Sequence, residues 1–247
     1  MANGLDPWAT AARPASGVGV RDVTRDAGLR SYMLSVYNYM ASGVLLTGIV
    51  AMLFARGGAD SLAAQVFLNG GPLKWVVMLA PIGLVMWLSF GINRISEGTA
   101  KAIFWGYAAL MGVSLSTILL VYTGASVAQT FFATAAAFAS LSLWGYTTKK
   151  DLSAFGTFLI MGVIGIFVAM LINMFLKSSA LDLVVSVLGV LLFAGLTAWN
   201  TQQIKSAYFA VQGTSMMGKT VIMGALQLYI DFINMFLFLL RFMGDRR

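Results

Sequence analysis

The chain has 247 residues, 59% of them hydrophobic and 10% charged, whereas soluble domains average about 45–50% and about 25%. A water-solvated domain of this length needs polar residues over its outside and a lipid-solvated one does not, so this is the composition of a membrane protein. Sixteen bases against nine acids call for no nucleic-acid partner, because basic loops beside anionic headgroups account for the excess; the absence of Cys and His removes disulfides, thiolate chemistry, His-based relays and the usual zinc ligands.

Residues 1–30 carry four Arg and three Asp among Pro and Gly and lack the apolar core of a signal peptide. They read as a flexible cytosolic tail, ahead of a single transmembrane domain over 31–247. A span needs about 20 predominantly apolar residues, and seven runs qualify. They are Ser31–Ala55, Trp75–Asn93, Ala102–Tyr122, Ser126–Tyr146, Phe155–Leu176, Leu181–Asn200 and Val221–Phe242. A very short uncharged turn near Gly124 separates the third from the fourth, and Lys149, Lys150 and Asp151 mark a water-facing loop after the fourth. An even alternation of loops puts ten bases on the amino-terminal side and six on the other, which makes the amino terminus cytoplasmic. Arg241, Arg246 and Arg247 run against that orientation: either the last helix tolerates them or that segment dips in and returns, leaving six full spans, and the 22 residues of Val221–Phe242 favour a full crossing.

Polar side chains inside the spans point to the site. On the seventh run Gln227, Asp231 and Asn234 are spaced four and three apart and so share a helix face. On the sixth, Asp182, Ser186, Gly189, Thr197 and Asn200 form a comparable stripe. An Asp facing lipid at a helix centre costs about 2.5–3.5 kcal/mol, so both stripes are expected to face inward, with the seventh helix inside a ring of the others. The fold class is therefore an all-α membrane protein, a seven-transmembrane-helix bundle with the last helix central. Asn173, Asn234, Gln227 and the serines read as interhelical hydrogen-bond glue. Asp231 reads as functional, because an amide would glue equally well without an ionisable group. Asp182, at the start of its span, reads as a cap-like or mouth residue. If Lys205 and Lys219 both sit at headgroup level, Asn200 lies about 8 Å deep and Asp231 about 18 Å, so contact between them would need the seventh helix displaced toward the cytoplasm or a water-filled cavity reaching inward.

Three segments, LYIDFINMFLFLLRFMG (228–244), LTAWNTQQIK (196–205) and KKDLS (149–153), resemble the Bax inhibitor-1 family, in particular its bacterial YccA-like branch, over roughly residues 31–244. The resemblance implies a seven-helix bundle with its last helix in the middle. It also implies one of two functions: a passive, pH-gated calcium or cation leak, or a regulator that binds a membrane-anchored ATP-dependent protease in the bacterial inner membrane. In leak-type members the gate is a pair of carboxylates with an arginine latched onto it. Asp231 matches one acid, Arg94 matches the arginine, and the position of the second acid holds Asn200. Two adjacent carboxylates share a proton, whereas an asparagine cannot repel Asp231 and can donate to it, so pH gating is expected to be weakened. No resident cofactor is expected, only transient calcium, and no enzymatic activity: the sequence has no Gly-x-Ser-x-Gly elbow, no Gly-rich phosphate loop and no second mid-membrane acid for an aspartyl pair.

Overall fold

The computed structural model describes residues 18–67 and 71–247, with side chains from residue 27 onward. Eight α-helices follow in order: α1 (Val18–Ala55), α2 (Leu62–Phe67), α3 (Leu73–Gly91), α4 (Glu97–Val121), α5 (Gly124–Thr147), α6 (Ser153–Leu176), α7 (Ser179–Val211) and α8 (Met217–Met243). All but α2 are long and apolar enough to cross a membrane, which gives the seven expected spans. Residues 1–17 of the expected tail lie outside the described residues, and residues 18–30 belong to α1.

Helix ends follow local chemistry. Ser96, Thr123 and Ser178 each accept a backbone N–H three residues ahead, starting α4, α5 and α7, as side-chain oxygens do at helix N-termini. The α1–α2 connection turns at Gly57 with φ 102°, a backbone conformation that a side chain would strain. Asn173 accepts the Ser178 N–H through Oδ1 at 2.9 Å and so closes the α6–α7 turn.

The last helix occupies the centre. α8 packs against α1, α4, α5 and α7, while α3 rests on α4, and α6 on α7, from outside. Of the most apolar stretch of each helix, 72% of residues are buried in α8 but 11% in α3 and α6. This contrast separates a helix solvated by protein from helices solvated by lipid. Glycines permit the close crossings: a Cβ on Gly112 of α4 would meet Thr47 O of α1 at 2.7 Å, and one on Gly189 of α7 would meet the Phe238 ring of α8 at 2.5 Å.

The carboxyl terminus is clasped rather than free. Thr123 N–H donates to Asp245 O at 3.0 Å, Arg247 N–H to Val121 O at 2.9 Å, and Asp245 N–H to Ser126 Oγ at 2.9 Å. The Arg246 guanidinium lies 5.8 Å from the centre of the Tyr122 ring. The three terminal residues thus form a short clasp over the α4–α5 turn.

Candidate functional site

Asn200 and Asp231 meet. The Asn200 Nδ2 donates to Asp231 Oδ2 at 2.7 Å, and the two residues are 8% and 3% exposed. Asp231 makes no ion pair with any described residue. Its carboxyl group is therefore held inside the bundle by one amide, with no counter-charge among the described residues.

The depth mismatch expected between them does not arise. α7 continues eleven residues past Asn200 to Val211, and α8 starts fourteen before Asp231 at Met217. Counted from the connecting turn, these are about 17 and 21 Å, a difference of less than one helical turn. Lys205 and Lys219 are not a matched pair of headgroup markers. Lys205 instead turns toward the end of α5, where its Nζ donates to Tyr146 O at 2.8 Å and lies 5.1 Å from the centre of the Tyr146 ring.

The residues flanking Asn200 are fixed to the outer helices. Ala198 packs on Gly145 of α5, where a Cβ would come within 2.2 Å of the Ala198 carbonyl oxygen. Trp199 lies on Gly156 of α6, where a Cβ would meet its indole at 2.1 Å. Thr201 Oγ1 shares a hydrogen bond with Ser142 Oγ at 2.9 Å, and Gln202 accepts the Leu152 N–H and donates to Lys150 O. With these four neighbours pinned on α5, α6 and their loop, the side chain of Asn200 is left to face α8.

The other expected site residues are placed differently. Arg94 is exposed on the α3–α4 connection and pairs with no described acid, so it does not latch onto Asp231 here. Three residues beyond the end of α3, it lies outside the packed face of that helix. Gln227, expected to face inward with Asp231, is exposed. Asn234 is half-buried and donates to Ile230 O of its own helix at 2.8 Å, and Asn173 serves the α6–α7 turn. Neither amide bridges helices as expected. The physical reason is angular: α8 leaves a narrow open stripe along Met223, Gln227, Ile230, Asn234, Leu237 and Arg241, and Asp231 stands roughly 80° round from its centre.

Asp182 has a larger role than a cap. In the first turn of α7 it forms an ion pair with Arg241 in the last turn of α8, both side chains being about 30% exposed. Each charge complements its own helix dipole as well as its partner. This pairing neutralises one of the three bases that ran against the orientation count.

Two features were missed from sequence. Thr47, Tyr229 and Ala108 form a buried chain in which Thr47 Oγ1 donates to Ala108 O at 2.8 Å and shares a hydrogen bond with Tyr229 OH at 2.6 Å. A hydroxyl in the middle of the first apolar run was its available signal. The second is a cavity of about 530 Å³ between α2, α3, α4 and α8, into which Ile230, Ser114 and Thr117 project. On α8, Gln227 lies angularly between Ile230 in that cavity and Asp231 against α7, so it marks the shortest way from one to the other. Asp231 and Asn200, both buried, do not line that cavity.

A ring of spans around a central helix that carries an enclosed, hydrogen-bonded acid defines a class: a polytopic membrane protein built round a buried polar pair. The model of the family described as inhibitor of apoptosis-promoting Bax1 matches residues 29–247. The chain is 46% identical over 226 residues to inner membrane protein YbhL of Escherichia coli K12, covering 90% of this chain and 94% of that protein. It is 44% identical over 227 residues to protein RP147 of Rickettsia prowazekii, covering 92% and 94%, and 36% identical over 219 residues to membrane protein SpyM3_0260 of Streptococcus pyogenes, covering 89% and 94%. The chain belongs to the Bax inhibitor-1 family and is one of its multi-pass membrane proteins.

Proposed function

We propose that this protein is a passive cation leak of the bacterial inner membrane, with the amino terminus cytoplasmic and the Asn200–Asp231 pair as its closed gate. The observation that carries this reading is the carboxylate of Asp231, 3% exposed and bound by a single amide. An acid so placed is costly to ionise without a cation, and a passing ion would offset that cost. Glue between α7 and α8 would need no acid. The cavity beside Ile230 supplies an approach, with Gln227 next to it on α8. Calcium is a passing ion in this reading and not a resident cofactor, since one carboxylate and one amide fall short of its six to eight oxygens. The reading assigns no enzymatic activity. Asp231→Asn keeps the side chain's size and a hydrogen bond to Asn200 but removes the ionisable group. It should reduce calcium flux in proteoliposomes to that of protein-free vesicles. Wild-type flux at that same background would sink the proposal.

A second reading draws on α7, which runs nine residues beyond Gln202 at the α5–α6 loop, and on α1, whose Tyr32 ring lies 5.4 Å from that of Tyr208 at the far end of α7. These two helix ends project together on the amino-terminal side and form a surface for a protein partner such as a membrane-anchored ATP-dependent protease. Deleting residues 1–25 should weaken partner capture and leave flux intact, whereas Asp231→Asn should do the reverse.

A further inference from the structure

Between α1 and α5, on the side of the bundle where α1 begins, lies a cleft of about 600 Å³. We propose that it binds one anionic phospholipid of the adjacent leaflet, with the phosphate at Arg30 and an acyl chain along the cleft. Three observations converge on that occupant.

The cleft is graded from polar to apolar. Arg30 and Tyr146 stand at its mouth, Tyr37 and Ser142 a few residues further in, and Met40, Ala41 and Phe138 at its deep end. Arg30 is exposed and makes no ion pair with a described residue, so its guanidinium is available to a phosphate, which it suits geometrically. Lys205 does not line the cleft and is engaged by the Tyr146 carbonyl and ring, so Arg30 is the charge at the mouth.

The depth also fits. From Arg30 to Ala41 is eleven residues of α1, or about 17 Å, close to half of a hydrocarbon core about 30 Å thick. The third observation is that the polar atoms inside are already committed to one another. Tyr37 OH shares a hydrogen bond with Ser142 Oγ at 2.6 Å, and Ser142 Oγ another with Thr201 Oγ1 at 2.9 Å. The interior beyond the mouth therefore offers an apolar wall, and a polar solute would find no free partner there. A second cavity of about 420 Å³ continues the α1–α5 seam, lined by Thr47, Met52, Phe131 and Phe232 with no charged residue. The charge stands at one end only, as a phospholipid with one headgroup requires.

The test is native mass spectrometry of the full-length protein, stripped of lipid in detergent and titrated with phosphatidylglycerol or with phosphatidylcholine of the same acyl chains. Phosphatidylglycerol is expected to be retained about five times better, the factor that one basic residue near an anionic group supplies. Arg30→Gln should erase the preference and Arg30→Lys should keep most of it. Arg30 is exposed, so neither change threatens the fold. Ala139→Trp, on the exposed rim of the cleft, should lower binding of both lipids by filling it, and glycerol phosphate without acyl chains should not compete. Equal retention of the two lipids, a preference that survives Arg30→Gln, or a lipid-free dimer whose α1–α5 cleft is covered by a second copy would each overturn the proposal. Flux plays no part in these readouts, so failure of the leak reading would leave this one standing.

Discussion

Gly145 fixes where Asn200 stands, and replacing it tests the account of the site most directly. In Gly145→Ala the new methyl would lie 2.2 Å from Ala198 O, 2.8 Å from its Cα and 2.9 Å from its carbonyl carbon. These are backbone atoms of a neighbouring helix and cannot rotate aside. Close C···O contacts lie at about 3.3 Å, so α5 and α7 must separate by about 1 Å. Overpacking of this kind costs about 1–3 kcal/mol, and it would stretch the adjacent Ser142–Thr201 hydrogen bond of 2.9 Å. Gly165→Ala, on α6, is the control, because a Cβ there meets nothing within 4 Å and the helix gains up to about 1 kcal/mol from losing a glycine. Thermal unfolding of the purified variants in one detergent should show Gly145→Ala several degrees below the wild type and Gly165→Ala at or above it. Equal midpoints for the two variants would refute the claim that this crossing holds Asn200 in position.

Three further outcomes are expected. Asp182→Asn and Arg241→Gln should each destabilise by about 1 kcal/mol, as for a partly exposed ion pair, and the doubly charge-exchanged protein should recover part of the loss; strict additivity in a double-mutant cycle would argue against the pair. Deleting Asp245–Arg247 removes three hydrogen bonds to the α4–α5 turn and should cost about 2–3 kcal/mol, read as a lowered unfolding midpoint and faster amide exchange at Tyr122 and Thr123. Asn200→Asp would set two carboxyl groups in contact where an amide and a carboxylate now lie 2.7 Å apart. Such a pair shares a proton, so calcium flux in proteoliposomes should become more steeply pH-dependent than in the wild type, and an unchanged profile would count against gating at this position.

The sequence by itself determined the seven spans and the central place of the last helix. Both rest on local properties: apolar runs long enough for a bilayer, bounded by charges everywhere but at the uncharged turn near Gly124, and an acid that lipid could not tolerate at Asp231. The matching of Asp231 with Asn200 was also legible, through the resemblance, although counting residues from Lys205 and Lys219 argued against their contact. Only the tertiary structure decided which face of each helix meets which neighbour. Gln227 and Asp231 are four residues apart, yet one is exposed and the other 3% exposed, because α8 is enclosed by α1, α4, α5 and α7 but left open along one stripe. Asn173 and Asn234 found backbone partners beside them and not across helices. The pairing of Asp182 with Arg241 and the clasp at Asp245–Arg247 join residues distant in the chain. Crossing geometry sets all of these, through close approaches such as Gly145 on Ala198 and Gly156 on Trp199, and no run of hydrophobicity along a single helix encodes the angle at which another helix will meet it.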